Sequence, residues 1–182
     1  MNVLIVAAHP DDEILGAGGT WHKHKRLGDT VTTMIFSKGR QDKIDQNFDL
    51  MSLRAVITEI EKIVKKYEPS VVYTHSSKDI NNDHKVIHDA VKVACRPTRS
   101  PVKAIYGFDS TMSAFDTIQP NHYVELKASD VTWKAKQMLK KYKAEMSVPV
   151  RTYGGIETQA IFWGDKIGAV FAEAFETIME IV

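Results

Sequence analysis

Cysteine is nearly absent from this chain: Cys95 is the only one among 182 residues. A single cysteine cannot form a disulfide within the chain, and it excludes a zinc site built from several thiolates. Any metal would therefore have to be held by histidine and carboxylate side chains, which are the other usual ligands of zinc.

Long apolar runs and an excess of charge are missing too. No stretch approaches the roughly 20 apolar residues that cross a bilayer, and the run Val3–Ala8 is too short for a signal-peptide core. The formal net charge is +1, and the basic residues are scattered, which argues against a nucleic-acid partner. We expect a cytoplasmic protein that neither inserts into a membrane nor binds nucleic acid; a homo-oligomer stays open.

Strand-like and helix-like segments alternate along the chain. Short apolar runs rich in β-branched residues predict buried strands, and apolar residues three or four apart predict helices. Such alternation predicts one Rossmann-like α/β domain over residues 1–182, with a mostly parallel sheet and helices on both faces. The predicted strands are Val3–Ala8, Thr30–Ser37, Val71–Thr74 and Val102–Phe108, and the helices between them are Glu13–Leu27, Leu50–Tyr67 and His84–Cys95.

The last third of the sequence is harder to interpret. We predict a basic helix over Ala128–Glu145 and a C-terminal helix over Asp165–Ile181. The stretches Ser110–Tyr123 and Ser147–Gly155 lack periodicity and are candidate pocket loops. The small residues Gly16–Gly19 do not have the spacing of a nucleotide-binding turn, and close helix packing explains them better.

A histidine and three acids follow the first predicted strand, in the run His9-Pro10-Asp11-Asp12-Glu13. Ligands of open α/β sheets bind beyond the carboxyl ends of the strands. A tight turn can aim His9 and Asp12 at one point, leaving Asp11 free for proton transfer. A simple helix cap is the alternative, but a cap does not need a histidine and three carboxylates.

A second polar cluster, Asp79 to His84, follows the third predicted strand, and His88 lies one helical turn beyond it. A histidine pair with this spacing can bind zinc by itself, although the glutamate of that helical motif is missing. Two unrelated histidines on an exposed helix are the alternative. Because the ends of parallel strands converge, we expect the two clusters to form one site.

The segment Ala8-His9-Pro10-Asp11-Asp12-Glu13 resembles the signature of the PIG-L/LmbE-like family of sugar N-deacetylases, and Asn81-Asn82-Asp83-His84 is similar to its second motif. The resemblance implies that His9, Asp12 and His84 bind Zn²⁺ and that Asp11 is the general base. Weaker similarities, such as Arg151-Thr152 and Ala172-Glu173-Ala174-Phe175, extend over nearly the whole chain.

Two departures from the family pattern affect substrate binding. Asn81 stands where many members have a histidine that helps to stabilise the transition state, and this residue is a candidate for contacting substrate. The region between Gly39 and Asp49 is short, so that a helix and strand with a substrate-binding arginine are missing; Arg40 is the nearest remaining candidate.

The proton donor for the leaving amine is open at this stage. His75, at the end of the third predicted strand, is the first candidate, and a structural histidine is the alternative. His122 is the alternative donor and a candidate for contacting substrate, since it lies in an irregular stretch that could fold over the site. Asp11 could also return its own proton to the amine, which would make a separate acid unnecessary.

The resemblance implies zinc-dependent hydrolysis of an acetamide on an N-acetylglucosamine-type sugar or its conjugate. Two histidines and one carboxylate also suit Fe²⁺. The alternative is a non-catalytic module that binds a nucleotide or nucleotide sugar on the same fold. The clustered acids argue against it, because carboxylates repel phosphates unless a metal intervenes.

Overall fold

The computed structural model describes residues 1–37, 52–110 and 118–182. Five helices and six strands lie in this part of the chain. The strands are β1 (Asn2–Ala7), β2 (Thr30–Ile35), β3 (Val71–His75), β4 (Ala104–Phe108), β5 (His122–Leu126) and β6 (Phe171–Glu180). The helices are α1 (Asp12–Arg26), α2 (Leu53–Tyr67), α3 (Asn82–Ala94), α4 (Ala128–Lys141) and α5 (Tyr153–Asp165), with short 3-10 turns at Lys143–Ser147 and Pro149–Arg151.

The six strands form one sheet in the order β2-β1-β3-β4-β6-β5. Strands β1 to β4 are parallel, and β6 runs antiparallel to both β4 and β5. The sheet is therefore mostly parallel, as predicted. The chain leaves β1 towards one edge and β3 towards the other, so a switch point of the kind that binds ligands lies between these strands.

Helices cover both faces of the sheet. One face packs against α2 and α3, through a core that includes Leu4, Val72 and Ile60. The other face packs against α1 and α5, and α4 packs on both of these helices. None of the described helices has the length and apolar character of a membrane span.

Helix α1 packs unusually close to the sheet and is kinked. A Cβ atom on Gly16 would lie 2.2 Å from the Phe108 ring, so only glycine fits there. This contact confirms that the small residues serve packing. Ala17 has a non-helical backbone, and the backbone N–H groups of Gly19 and Thr20 donate to the buried carboxylate of Glu173 instead.

The C-terminal prediction is wrong. Helix α5 ends at Asp165, where a helix was expected to begin, and Phe171–Glu180 is a strand. Strand β6 lies between β4 and β5 and forms backbone hydrogen bonds with both. This pairing outweighs the helix propensity of its alanine, glutamate and methionine residues. Strand β5 was also missed, because its first residues fell within a stretch expected to be irregular.

Candidate metal centre

The turn after β1 separates the side chains of two adjacent aspartates. Asp11 has a left-handed backbone, with φ of 102°, and α1 begins at the next residue, Asp12. The backbone N–H of His9 donates to Oδ2 of Asp12 at 2.9 Å, which closes the turn. Asp12 therefore faces His9, while Asp11 points away from it.

Three ligand atoms converge beside this turn: Nδ1 of His9, Oδ2 of Asp12 and Nε2 of His84. His84 lies 3.1 Å from each of the other two atoms, and the remaining distance, between His9 and Asp12, is 3.3 Å. Neighbouring ligands of a tetrahedral zinc ion with bonds of about 2.1 Å lie about 3.4 Å apart. The donor set and its spacing thus fit a divalent metal, and His9, which is 30% exposed, leaves one side open to solvent.

Neighbouring polar groups orient all three ligands. Nδ1 of His84 bonds Asp79 at 2.7 Å, Nε2 of His9 bonds Asp83 at 3.0 Å, and Ser110 donates to Oδ1 of Asp12 at 2.9 Å. Partners of this kind fix the tautomer of a metal-binding histidine and strengthen it as a ligand.

The charges of the cluster favour a cation. Burial opposes ionisation of Asp12, but hydrogen bonds from His84 and His9 outweigh it and hold the pKa of this carboxyl well below its usual range. Burial lowers the pKa of His84, but Asp12 and Asp79 outweigh it and raise that pKa to about 9. The hydrogen bond to Asp12 is the main reason that the pKa of His9 is raised. Bound protons here neutralise carboxylates that a metal ion would neutralise instead.

Asp11 is buried and is not one of the three converging ligands. Burial and the nearby charge of Asp12 raise its pKa to about 7, against the opposing effect of Arg151. Arg151 donates from Nη1 to Asp11 and to Glu145, at 3.0 Å in each case. Asp11 is thus a buried carboxyl beside the ligands, held by an arginine and close to the protonation balance that a general base needs.

Glu13 shapes the same turn from the other side. Its carboxylate accepts the backbone N–H of Asp11 at 3.0 Å and the hydroxyl of Tyr142 at 2.8 Å. Burial raises the pKa of this carboxyl. Glu13 therefore stabilises the strained backbone of Asp11, and both of its oxygens are engaged.

His75 lies beneath the ligands. Its ring stacks on His84 with the centroids 3.8 Å apart, and its Nε2 accepts the backbone N–H of Ala8 at 2.9 Å. It is fully buried, and burial lowers its pKa to about 3. We expected His75 to donate a proton to the substrate, but its position favours the alternative, a neutral structural histidine supporting His84.

A second group of potential ligands, His75, Asp79 and His84, shares His84 with the first. This group is entirely buried, so a substrate could not reach a metal held there. Nε2 of His75 also already accepts a hydrogen bond from the backbone N–H of Ala8. His88 belongs to neither group; its Nδ1 bonds the backbone carbonyl of His75 at 2.9 Å. The sequence hypothesis of a pair formed by His84 and His88 is therefore not supported.

The three candidate substrate contacts have different positions. Asn81 caps α3, its side-chain oxygen accepting the backbone N–H of Asp83 at 2.9 Å. His122 stacks on Tyr106, and its charged neighbours are Glu180 and Lys23. Lys23 lies at the opposite end of α1 from Asp12, so the expectation that His122 lies over the site is wrong. Arg40 lies outside the described residues.

Arg151 is the main residue of the site to which the sequence assigned no role. It lies within the irregular stretch Ser147–Gly155, which was predicted to be a pocket loop, and an arginine in such a loop was the available clue. Ser110 and Asp79 also received no role as supporting groups, because a hydrogen bond between distant elements has no signature in a single sequence.

Comparison with known proteins agrees with this geometry. The model of the PIG-L family, described as GlcNAc-PI de-N-acetylase, matches residues 4–49 and 42–95. The uncharacterized deacetylase YaiS of Escherichia coli K12 is 24% identical over 173 residues, a match covering 78% of this chain and 90% of YaiS.

Two solved structures share the fold. The N,N'-diacetylchitobiose deacetylase of Pyrococcus horikoshii superposes with a TM-score of 0.69 at 17% identity, over 98% of this chain and 84% of the deacetylase. GalB of Pseudomonas putida KT2440, a 4-carboxy-2-hydroxymuconate hydratase, superposes with a TM-score of 0.75 at 15% identity, over 100% of this chain and 97% of GalB.

The hydratase shows that one fold carries more than one chemistry. The family match is more specific, since its residues include the two strand ends and all three converging ligands. It also decides against a non-catalytic nucleotide-binding module. The chain belongs to the PIG-L family of de-N-acetylases and is a hydrolytic deacetylase.

Proposed function

We propose that this protein hydrolyses the acetamide of an N-acetylglucosamine-type sugar or sugar conjugate, using Zn²⁺ held by His9, Asp12 and His84. One observation carries the proposal: three ligand atoms converge at 3.1 to 3.3 Å, and beside them lies a buried carboxyl, Asp11, that is not one of the three. A metal-dependent amide hydrolase combines a Lewis acid with a neighbouring base in this way.

The metal ion, when bound, would polarise the acetyl carbonyl and make a neighbouring water more acidic. The protein supplies the proton transfers. Asp11 accepts a proton from the attacking water, and Arg151 holds its carboxylate in place. As the C–N bond breaks, Asp11 returns that proton to the amine, giving acetate and the free amino sugar.

Asp11 is the proton donor in this scheme because His75 is unsuited to the task. Nε2 of His75 accepts the N–H of Ala8, and its fully buried ring has little tendency to hold an additional proton. A single carboxyl that first accepts and then donates satisfies the proton balance of the reaction.

The substrate class comes from the relatives. The family description names a GlcNAc compound, and the Pyrococcus horikoshii enzyme is named for diacetylchitobiose. Fe²⁺ is the second candidate metal, because two histidines and a carboxylate are also a common iron-binding set. A cytoplasmic location and a small-molecule partner remain part of the proposal.

Acetate release from a panel of N-acetylated sugars, with and without chelator, tests the proposal. We expect chelation to abolish release, and zinc to restore it. Asp11→Asn should lower turnover by about 100- to 10,000-fold while metal content, measured by elemental analysis, stays at one ion per chain. Asp165→Asn, an exposed aspartate at the end of α5, is the matched control. An Asp11→Asn enzyme with normal turnover would show that another residue is the base.

A further inference from the structure

A cavity of about 720 Å³ lies between α1, α4, α5 and β6. Its size is that of a site for a small organic molecule. Aliphatic side chains make up much of its wall, among them Leu126, Val131, Ile156 and Ala160.

The buried charges in the cavity wall are already paired. Nζ of Lys134 lies 2.7 Å from Oε1 of Glu173 and 2.7 Å from the carbonyl oxygen of Leu15. Glu173 also accepts two backbone N–H groups of α1. Because these groups satisfy one another, this pair does not call for a charged ligand, and the wall favours an apolar one.

Two residues of the cavity wall are chain neighbours of residues at the metal centre. Asp109, in the wall, precedes Ser110, which bonds the ligand Asp12. Val150, also in the wall, precedes Arg151, which bonds Asp11. The cavity wall is therefore continuous along the chain with the residues that hold the ligand and the base.

Two aromatic side chains also belong to the cavity wall. Phe162 and Trp163 line it; their rings contact edge to face, 4.8 Å apart, and Phe162 is 50% exposed. The cavity follows α5 from Gly155 to Trp163, which is about 12 Å at the rise of an α-helix.

We propose that this cavity binds an alkyl or aryl group attached to the amide-bearing sugar, so that the enzyme prefers glycosides with an apolar aglycone. The proposal rests on the proposed function and adds a substrate class to it. The apolar group lies along α5, and the acetamide is thereby directed to the converging ligands.

Two glycosides test this directly: the methyl and hexyl β-glycosides of N-acetylglucosamine, assayed by acetate release. We expect kcat/KM of the hexyl compound to be at least about tenfold higher, because one methylene in an apolar pocket can be worth that factor. Hexyl β-glucoside, which has no amide, should inhibit competitively, and methyl β-glucoside should not.

Variants that fill the cavity should remove the preference. Ala160→Phe, and the milder Ala160→Leu should the first not fold, are expected to reduce the hexyl-to-methyl ratio towards one while activity on the methyl glycoside persists. Ile161→Phe is the matched control, since Ile161 is exposed on the same helix and is not part of the wall.

The outcomes separate the two proposals. Equal hydrolysis of both glycosides without inhibition by hexyl glucoside overturns the cavity proposal and leaves the deacetylase intact. The same conclusion follows if Ala160→Leu raises the melting temperature and leaves the ratio unchanged, which would mark a packing void. If neither glycoside is hydrolysed, the proposed sugar substrate is wrong. In that case, calorimetric binding of hexyl glucoside that Ala160→Leu weakens would still support the cavity proposal. An absence of binding would overturn the cavity proposal.

Discussion

Two clusters of buried ionisable side chains contact α1, and they differ in what their charges do. Lys134 and Glu173 neutralise each other and bind backbone groups freed by the kink at Ala17. At the metal centre, by contrast, Asp12 and two imidazoles direct their lone pairs at one point. Burial alone therefore does not identify a functional site. The metal centre is identified by ligand atoms that converge on one point and by the acidic side chains that bond those ligands.

Breaking the pair of Lys134 and Glu173 should have the largest effect on stability. Lys134→Met leaves a carboxylate buried without its cation, and we expect a loss of about 3–5 kcal/mol in the free energy of unfolding. Chemical denaturation measures it. The double variant Lys134→Met/Glu173→Gln should recover most of the loss. Unchanged stability in the single variant would mean that the pair is unimportant for folding.

Removing a group that supports the metal centre should lower metal affinity more than it lowers stability. Asp79→Asn weakens the hydrogen bond that orients His84, and we expect metal affinity to fall by about 10- to 100-fold. Competition with a chromogenic chelator measures this affinity, and Asp89→Asn, on the exposed side of α3, is the control. A large loss of stability with unaltered affinity would make Asp79 a structural residue like Glu173.

The pH dependence of metal binding tests the role of His84 specifically. In the metal-free protein the pKa of His84 is about 9, so at neutral pH a metal must displace its proton. Affinity should therefore rise with pH up to about 9, by as much as about tenfold per unit for each proton released. Calorimetry in buffers of different ionisation enthalpy counts these protons. A flat profile between pH 7 and 9 would contradict the proposed role of His84.

The sequence predicted the strands and helices whose residues show a clear local pattern. The apolar runs that became β1 and β3 are buried on both faces, so their hydrophobicity was visible directly. Phe171–Glu180 is different, since its helix-forming residues become a strand only because β4 and β5 lie on either side of it. That information is tertiary, and one sequence does not contain it locally.

The metal centre divides in the same way. His9, Asp11, Asp12 and His84 stood in short motifs at the predicted strand ends, and the structure brings them together. His75 and His122 were selected by chain position alone. The sequence did not show that His75 is buried beneath His84, or that His122 lies near the far end of α1.

The left-handed backbone of Asp11 has a consequence for how this turn can change. Glycine adopts such a conformation freely, whereas other residues held there cost of the order of 1–3 kcal/mol. The protein keeps an aspartate at a position where the backbone of a glycine would be more relaxed. Selection for thermal robustness and selection for turnover therefore oppose each other at this single residue, and variants chosen for heat resistance alone would tend to lose the base while still binding metal.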